Sequence, residues 1–132
     1  MRLVTSTLIS VMALATLFSA SASAENFLGI LDDKGRPVPV TLNLRADAAP
    51  GARAGTLRFG GPWACGFDVE LTQVTDRLRT YFLRGAGAGR CTVLTAGYLH
   101  SQPSEEGLAI ALSDASNRLP ALYSVMVKPT GS

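Results

Sequence analysis

Few residues of this 132-residue chain have the types and spacing that chemistry needs. Asp68 and Glu70 stand two apart, and on an extended strand their Cα atoms would lie about 6.6 Å from each other on one face. Two carboxyl groups at such a distance can share the work of glycoside hydrolysis. No aromatic cluster flanks them to hold a sugar ring, so a solvated pair on an outer face is the simpler reading. His100 is the sole histidine. A Ser-His-Asp mechanism needs a nucleophile and an orienting acid beside it, and no Gly-x-Ser-x-Gly elbow occurs. Gly85–Arg90 joins a glycine-rich run to a cation. Phosphate loops of that kind present backbone N–H groups at the mouth of a helix and end in Gly-Lys-Ser/Thr. This run lacks the ending and links two strand-like segments, which makes it a hairpin connection. The chain is read as non-enzymatic, with no cofactor and no metal.

Binding is the alternative to catalysis. Arg77, Arg79, Arg84 and Arg90 crowd into one short stretch, next to a single acid, Asp76. Arg53 and Arg58 join them if their strand is a neighbour. Arginine is favoured at interfaces and where carboxylates are gripped in bidentate fashion. Tyr81 shares a strand face with Arg79, which offers an aromatic beside the cations. Trp63 follows Gly60-Gly61-Pro62 and precedes Cys65. It either packs over a disulfide as core or stands exposed as an anchor for a sugar or a partner protein. The candidate binding residues are therefore Arg77, Arg79, Tyr81, Arg84, Arg90 and Trp63.

The segments that must position these residues begin with an address. Leu8–Phe18 is an apolar run broken only by Ser10 and Thr16, behind Arg2 and ahead of Ser21-Ala22-Ser23-Ala24. A short apolar run closing on small-x-small reads as a secretory signal. It falls below the roughly 20 residues of a membrane-spanning helix. The expected organisation is a cleaved signal peptide over 1–24 and a single β domain over 25–132, periplasmic or secreted. Export makes an oxidising compartment, where the only two cysteines, Cys65 and Cys91, are expected to pair. Two cysteines and one histidine are too few for a zinc cage. Removing the signal leaves 11 Lys+Arg against 10 Asp+Glu, a balance unlike that of a nucleic-acid binder.

Period-two alternation marks the strands. Asn26–Leu31 leads through Asp32-Asp33-Lys34-Gly35 to Val38, Val40, Leu42 and Leu44. Pro37 and Pro39 place the start of that strand at an edge or ahead of pairing. Gly55–Gly60, Cys65–Thr72, Leu78–Arg84, Cys91–His100, Leu108–Ser113 and Leu119–Lys128 follow, with Gly- and Pro-bearing breaks between. Residues 103–118 also leave room for a short helix. The class is all-β: a small antiparallel meander barrel or sandwich of seven to eight strands with one disulfide.

Export, a short mature chain, antiparallel β-structure and one disulfide together resemble the outline of the small periplasmic inhibitors of c-type lysozyme. The resemblance is architectural. The Ser- and Lys-bearing loop motifs of those inhibitors have no counterpart here, and no residue role is carried over. The expected function is an exported, non-catalytic domain of a bacterial envelope that recognises another protein, as an inhibitor or immunity-type factor does. The alternative is a barrel holding a small lipid or carbohydrate among residues such as Phe67, Phe82 and Tyr123. A small envelope hydrolase built on His100 ranks third. No nucleic acid and no stable membrane insertion after signal cleavage are expected.

Overall fold

Alternation drives the architecture: each strand turns one row of apolar side chains inward, and only closure of the sheet on itself covers all the rows at once. The computed structural model describes residues 24–130. The signal-peptide reading falls on residues 1–24, which, Ala24 apart, lie outside the described residues. Eight strands follow one another: β1 Glu25–Asp33, β2 Arg36–Leu44, β3 Arg53–Phe59, β4 Cys65–Thr75, β5 Leu78–Arg84, β6 Tyr98–Ser104, β7 Gly107–Ser113 and β8 Tyr123–Pro129. Each pairs antiparallel with the next, and β8 returns to β1 to form a closed meander barrel. The choice left open between barrel and sandwich is thereby settled.

Val38, Val40 and Leu42 of β2, Leu57 of β3, Val69 and Leu71 of β4, Leu83 of β5, Leu99 of β6 and Val127 of β8 fill the interior, each at most 1 % exposed. Arg58, Asp68, Glu70 and Arg84 alternate with these rows on the outside. Apolar inside and charged outside is the reverse of a lipid-facing barrel wall. No helix among the described residues is long and apolar enough to cross a membrane.

The first hairpin turns at Lys34-Gly35, where both residues have positive φ (53° and 86°) and Asp32 accepts a hydrogen bond from the Gly35 N–H at 2.9 Å. Two positive φ values in a two-residue loop match the twist of the strands they join. Pro37 and Pro39 face Asp32 and Ile30 of β1, while the ladder to β3 begins only at Val40. The missing N–H groups therefore interrupt no pairing with β3. Closure depends on Gly29, which faces Val127 of β8. A Cβ there would come within 2.7 Å of the Met126 carbonyl oxygen and of Val127 Cγ1. Only a residue without a side chain lets the first and last strands approach so closely.

Two readings need correction. Cys91 does not open a strand: Gly89–Leu94 is a 3₁₀ helix, and β6 begins at Tyr98. The apolar residues Cys91 and Leu94 are buried through a helical turn laid over the barrel end. The last strand begins at Tyr123 and not at Leu119, because Pro120 and its neighbours form a loop. No helix occurs in 103–118, which continues as strand and turn.

Candidate functional site

An antiparallel meander places alternate loops at the same barrel end, so the molecule has two ends of different construction. At one end meet the β1–β2 hairpin, the β3–β4 connection, the 3₁₀ helix and the β7–β8 loop. Cys65 and Cys91 are bonded there, with Cα atoms 6.2 Å apart, within the range a disulfide spans. Trp63 fills the opening at 5 % exposure. Its ring lies 4.8 Å from Phe59 and 5.1 Å, edge-on, from Tyr123. The indole N–H donates to the buried Asp33 carboxylate at 3.0 Å, and Arg90 Nε stands 4.0 Å from the same oxygen. This end is plugged.

The other end is open. A cavity of about 520 Å³ is lined by Phe27, Leu44, Tyr81 and Leu108 as an apolar floor, with Ser101 among them. Tyr81 and Ser101 are 1 % and 2 % exposed. The neighbouring strands β5 and β6 supply Tyr81 and Ser101, with Tyr81 paired to Leu99 and Arg79 to Ser101. Six charged residues also line the cavity: Arg45 just after β2, Arg77 in the β4–β5 turn, Arg79 at the start of β5, Glu105 and Glu106 in the β6–β7 turn, and Glu25 at the start of β1. Arg45 reaches Asp47 at 4.0 Å, both well exposed. The remaining five make no ion pair among the described residues.

The arginines singled out from sequence thus fall in three places. Arg77 and Arg79 join Tyr81 at the open end. Arg84 lies on the outer wall, where its Nε donates to Glu70 at 2.7 Å, with Phe82 under its guanidinium. That hydrogen bond, and then the charge of Glu70, holds the Arg84 guanidinium above its ordinary value. Arg90 belongs to the plugged end. The strand period explains the scatter: odd and even positions of β5 face opposite sides, and the residues beyond it cross the barrel end. Arg53 sits on β3, which neighbours β4 and not β5, and pairs with Asp68 at 3.0 Å.

The two acids Asp68 and Glu70 are therefore each held by an arginine, around an outer-wall hollow of only about 70 Å³. His100 lies on the outer wall, beside neither hollow. Its Nδ1 faces the Thr80 hydroxyl at 3.1 Å and its Nε2 faces Asn117 Oδ1 at 2.8 Å. The ring is thus held on both sides, by a hydroxyl that can donate or accept and by an amide oxygen that accepts. This arrangement ties the β7–β8 loop to the wall. In the same loop the Ser116 hydroxyl and N–H hold the Asp114 carboxyl below its usual range. No group of three or more His, Cys, Asp or Glu able to hold a metal ion occurs among the described residues.

Of the aromatics expected around a ligand, none lines the open cavity. Phe67 is core, Phe82 packs on Tyr98 outside, and Tyr123 packs on Trp63. The cavity residues missed from sequence are Phe27, Leu44, Ser101, Leu108 and the charges at 25, 45, 105 and 106. Their signal was positional, since the meander brings these strand and loop residues to one side. No protein-family model matches the chain, and no match is found among curated proteins or solved structures.

Proposed function

We propose that the protein is an exported, non-catalytic binding domain that holds a small amphipathic ligand in the open end of its barrel. The observation that carries this reading is the 520 Å³ cavity with an apolar floor and a charged rim. Pockets of about 300–1,000 Å³, mostly apolar with a few convergent polar groups, are the usual form of small-ligand sites. The contrast with the plugged end supports it further, because the same fold closes its other opening with Trp63. Apolar contact supplies affinity at the floor, and the rim orients whatever enters.

The test is a titration with the apolar fluorophore N-phenyl-1-naphthylamine. Saturable enhancement is expected for the native protein, weakened at least tenfold by Ser101→Phe, which fills the floor. Leu108→Trp provides a second block if the first variant loses its far-ultraviolet β signature. Absence of saturable binding, or binding undiminished in a folded blocked variant, overturns the reading.

A second reading, recognition of another protein, has its own observation. Leu28 and Ile30 point outward from β1 at 52 % and 68 % exposure, opposite Thr41 and Pro39 of β2. Outward positions on the other strands are mostly polar, so this apolar pair breaks the pattern that solubility alone would set. Capture of a specific envelope protein that is lost in Ile30→Lys and retained in Ser101→Phe would favour this face over the cavity. The opposite result removes it.

A further inference from the structure

The six charges around the cavity are not mixed. Passing round the barrel end from β2 to β5, the lining residues that carry charge are Arg45, Arg77 and Arg79. From the β6–β7 turn through β8 to β1 they are Glu105, Glu106 and Glu25. Asp47 and Asp76 belong to loops on the basic half but do not line the cavity. The two arcs adjoin where β1 pairs with β2, Glu25 opposite Leu44, and where β5 pairs with β6, and the cavity opens between them over the apolar floor.

We infer that the cavity takes a ligand with charges of both signs on opposite sides of an apolar body, the chemistry of a short peptide with free termini. The inference rests on the binding reading above and names its ligand class. A simple anion with an apolar tail meets three arginines and three glutamates, whose effects oppose. A zwitterion lying across the opening gains from both halves. Its carboxylate faces guanidinium groups, which present paired N–H donors in the geometry a carboxylate accepts. Its ammonium faces carboxylates. Apolar side chains then reach Phe27, Leu44, Tyr81 and Leu108, with the Ser101 hydroxyl available to a backbone amide. A phosphocholine head also carries both signs, but only a two-carbon link apart and at one end of its tail, so its apolar body does not lie between them.

The test is calorimetric titration of the tripeptide Ala-Phe-Ala in four forms: free, N-acetylated, C-amidated and blocked at both ends. Dodecylphosphocholine below its micellar concentration is a fifth probe. The free peptide is expected to bind tightest, and each block to weaken it by about fivefold, the size of one partly exposed charge pair. In the double variant Arg77→Ala, Arg79→Ala, amidation should cease to matter while acetylation still does. In Glu105→Gln, Glu106→Gln the converse is expected. Equal binding of the four peptides overturns the inference, as does tighter binding of dodecylphosphocholine. No peptide binding with the naphthylamine still bound overturns the ligand class and leaves the cavity reading intact. Failure of peptides and naphthylamine together overturns both.

Discussion

The two ends of this barrel are made from the same strands and use their residues in opposite ways. At the plugged end an indole, two further aromatic rings, a disulfide and a 3₁₀ helix converge, and the buried Asp33 carboxylate has both an N–H donor and a nearby guanidinium. At the open end an equally apolar floor is left uncovered, and the charges around it find few partners. A small barrel needs one well-packed end to stay closed, because its inward side chains alone do not seal the openings. Having sealed one, it can leave the other available. Stability and binding are therefore expected to separate by end, and mutations can break or sharpen that division.

The largest effect belongs to Trp63. Trp63→Ala removes the plug and the donor to Asp33, and should lower the unfolding free energy by about 4 kcal/mol. Urea denaturation monitored by circular dichroism measures it; a loss below about 1 kcal/mol would mean that this end is not where stability resides. Next comes the disulfide. Its cysteines lie 26 residues apart, and removing the link as Cys65→Ala, Cys91→Ala should cost about 3.5 kcal/mol on the chain-entropy model. Neither change should alter naphthylamine affinity under conditions where the variant remains folded. Loss of binding in the folded variants would join the two ends into one unit.

Gly29→Ala tests the seam between them. The new methyl group would press on the Met126 carbonyl and Val127, and overpacking of this kind costs about 2 kcal/mol. Because Phe27 of the cavity floor pairs with Pro129 across the same seam, both stability and binding should fall here, unlike at either end.

The strand pattern was readable because period two needs only local sequence. Val38 to Leu44 and Cys65 to Leu71 announce their inward rows, and the pairing of Cys65 with Cys91 can be expected from there being only two cysteines. Where local pattern and tertiary placement diverge, sequence reading fails. Cys91 and Leu94 look like the start of a strand, yet Gly87 and Gly89 let the chain turn into a 3₁₀ helix that covers the barrel end. The arginines resemble one patch because they are close in sequence. Strand alternation and the crossing from one end to the other divide them. The cavity was hidden for the complementary reason: its residues, from Glu25 to Pro129, are contiguous only after β8 meets β1. Which end would be sealed depended on Trp63 reaching Asp33, 30 positions earlier, a contact no local pattern encodes.

A smaller and opposite effect is expected at Ser113. Its hydroxyl is buried at the end of β7 and has no hydrogen-bond partner among the described residues. Burying such a group without a partner costs on the order of 1 kcal/mol. Ser113→Ala should therefore raise stability by about that amount, read as a higher urea midpoint at unchanged slope. A fall in the midpoint would show that the hydroxyl has a partner when folded in water.

The smallest effect on stability, and the sharpest test of the division, lies at the rim. Arg77→Ala with Arg79→Ala should shift the unfolding free energy by no more than about 0.5 kcal/mol, because neither guanidinium holds an ion pair among the described residues. Loss of two cations leaves Arg45 alone to oppose the acidic half of the rim, Glu25, Glu105 and Glu106, so any change should grow as salt is lowered and shrink as it is raised. The same double variant is expected to lose discrimination between free and amidated peptide. Stability nearly untouched while recognition changes is what an uncommitted cluster of charges predicts. A loss of about 2 kcal/mol or more would instead make these arginines part of the scaffold, and the open end would then be a second structural end rather than a place for a ligand.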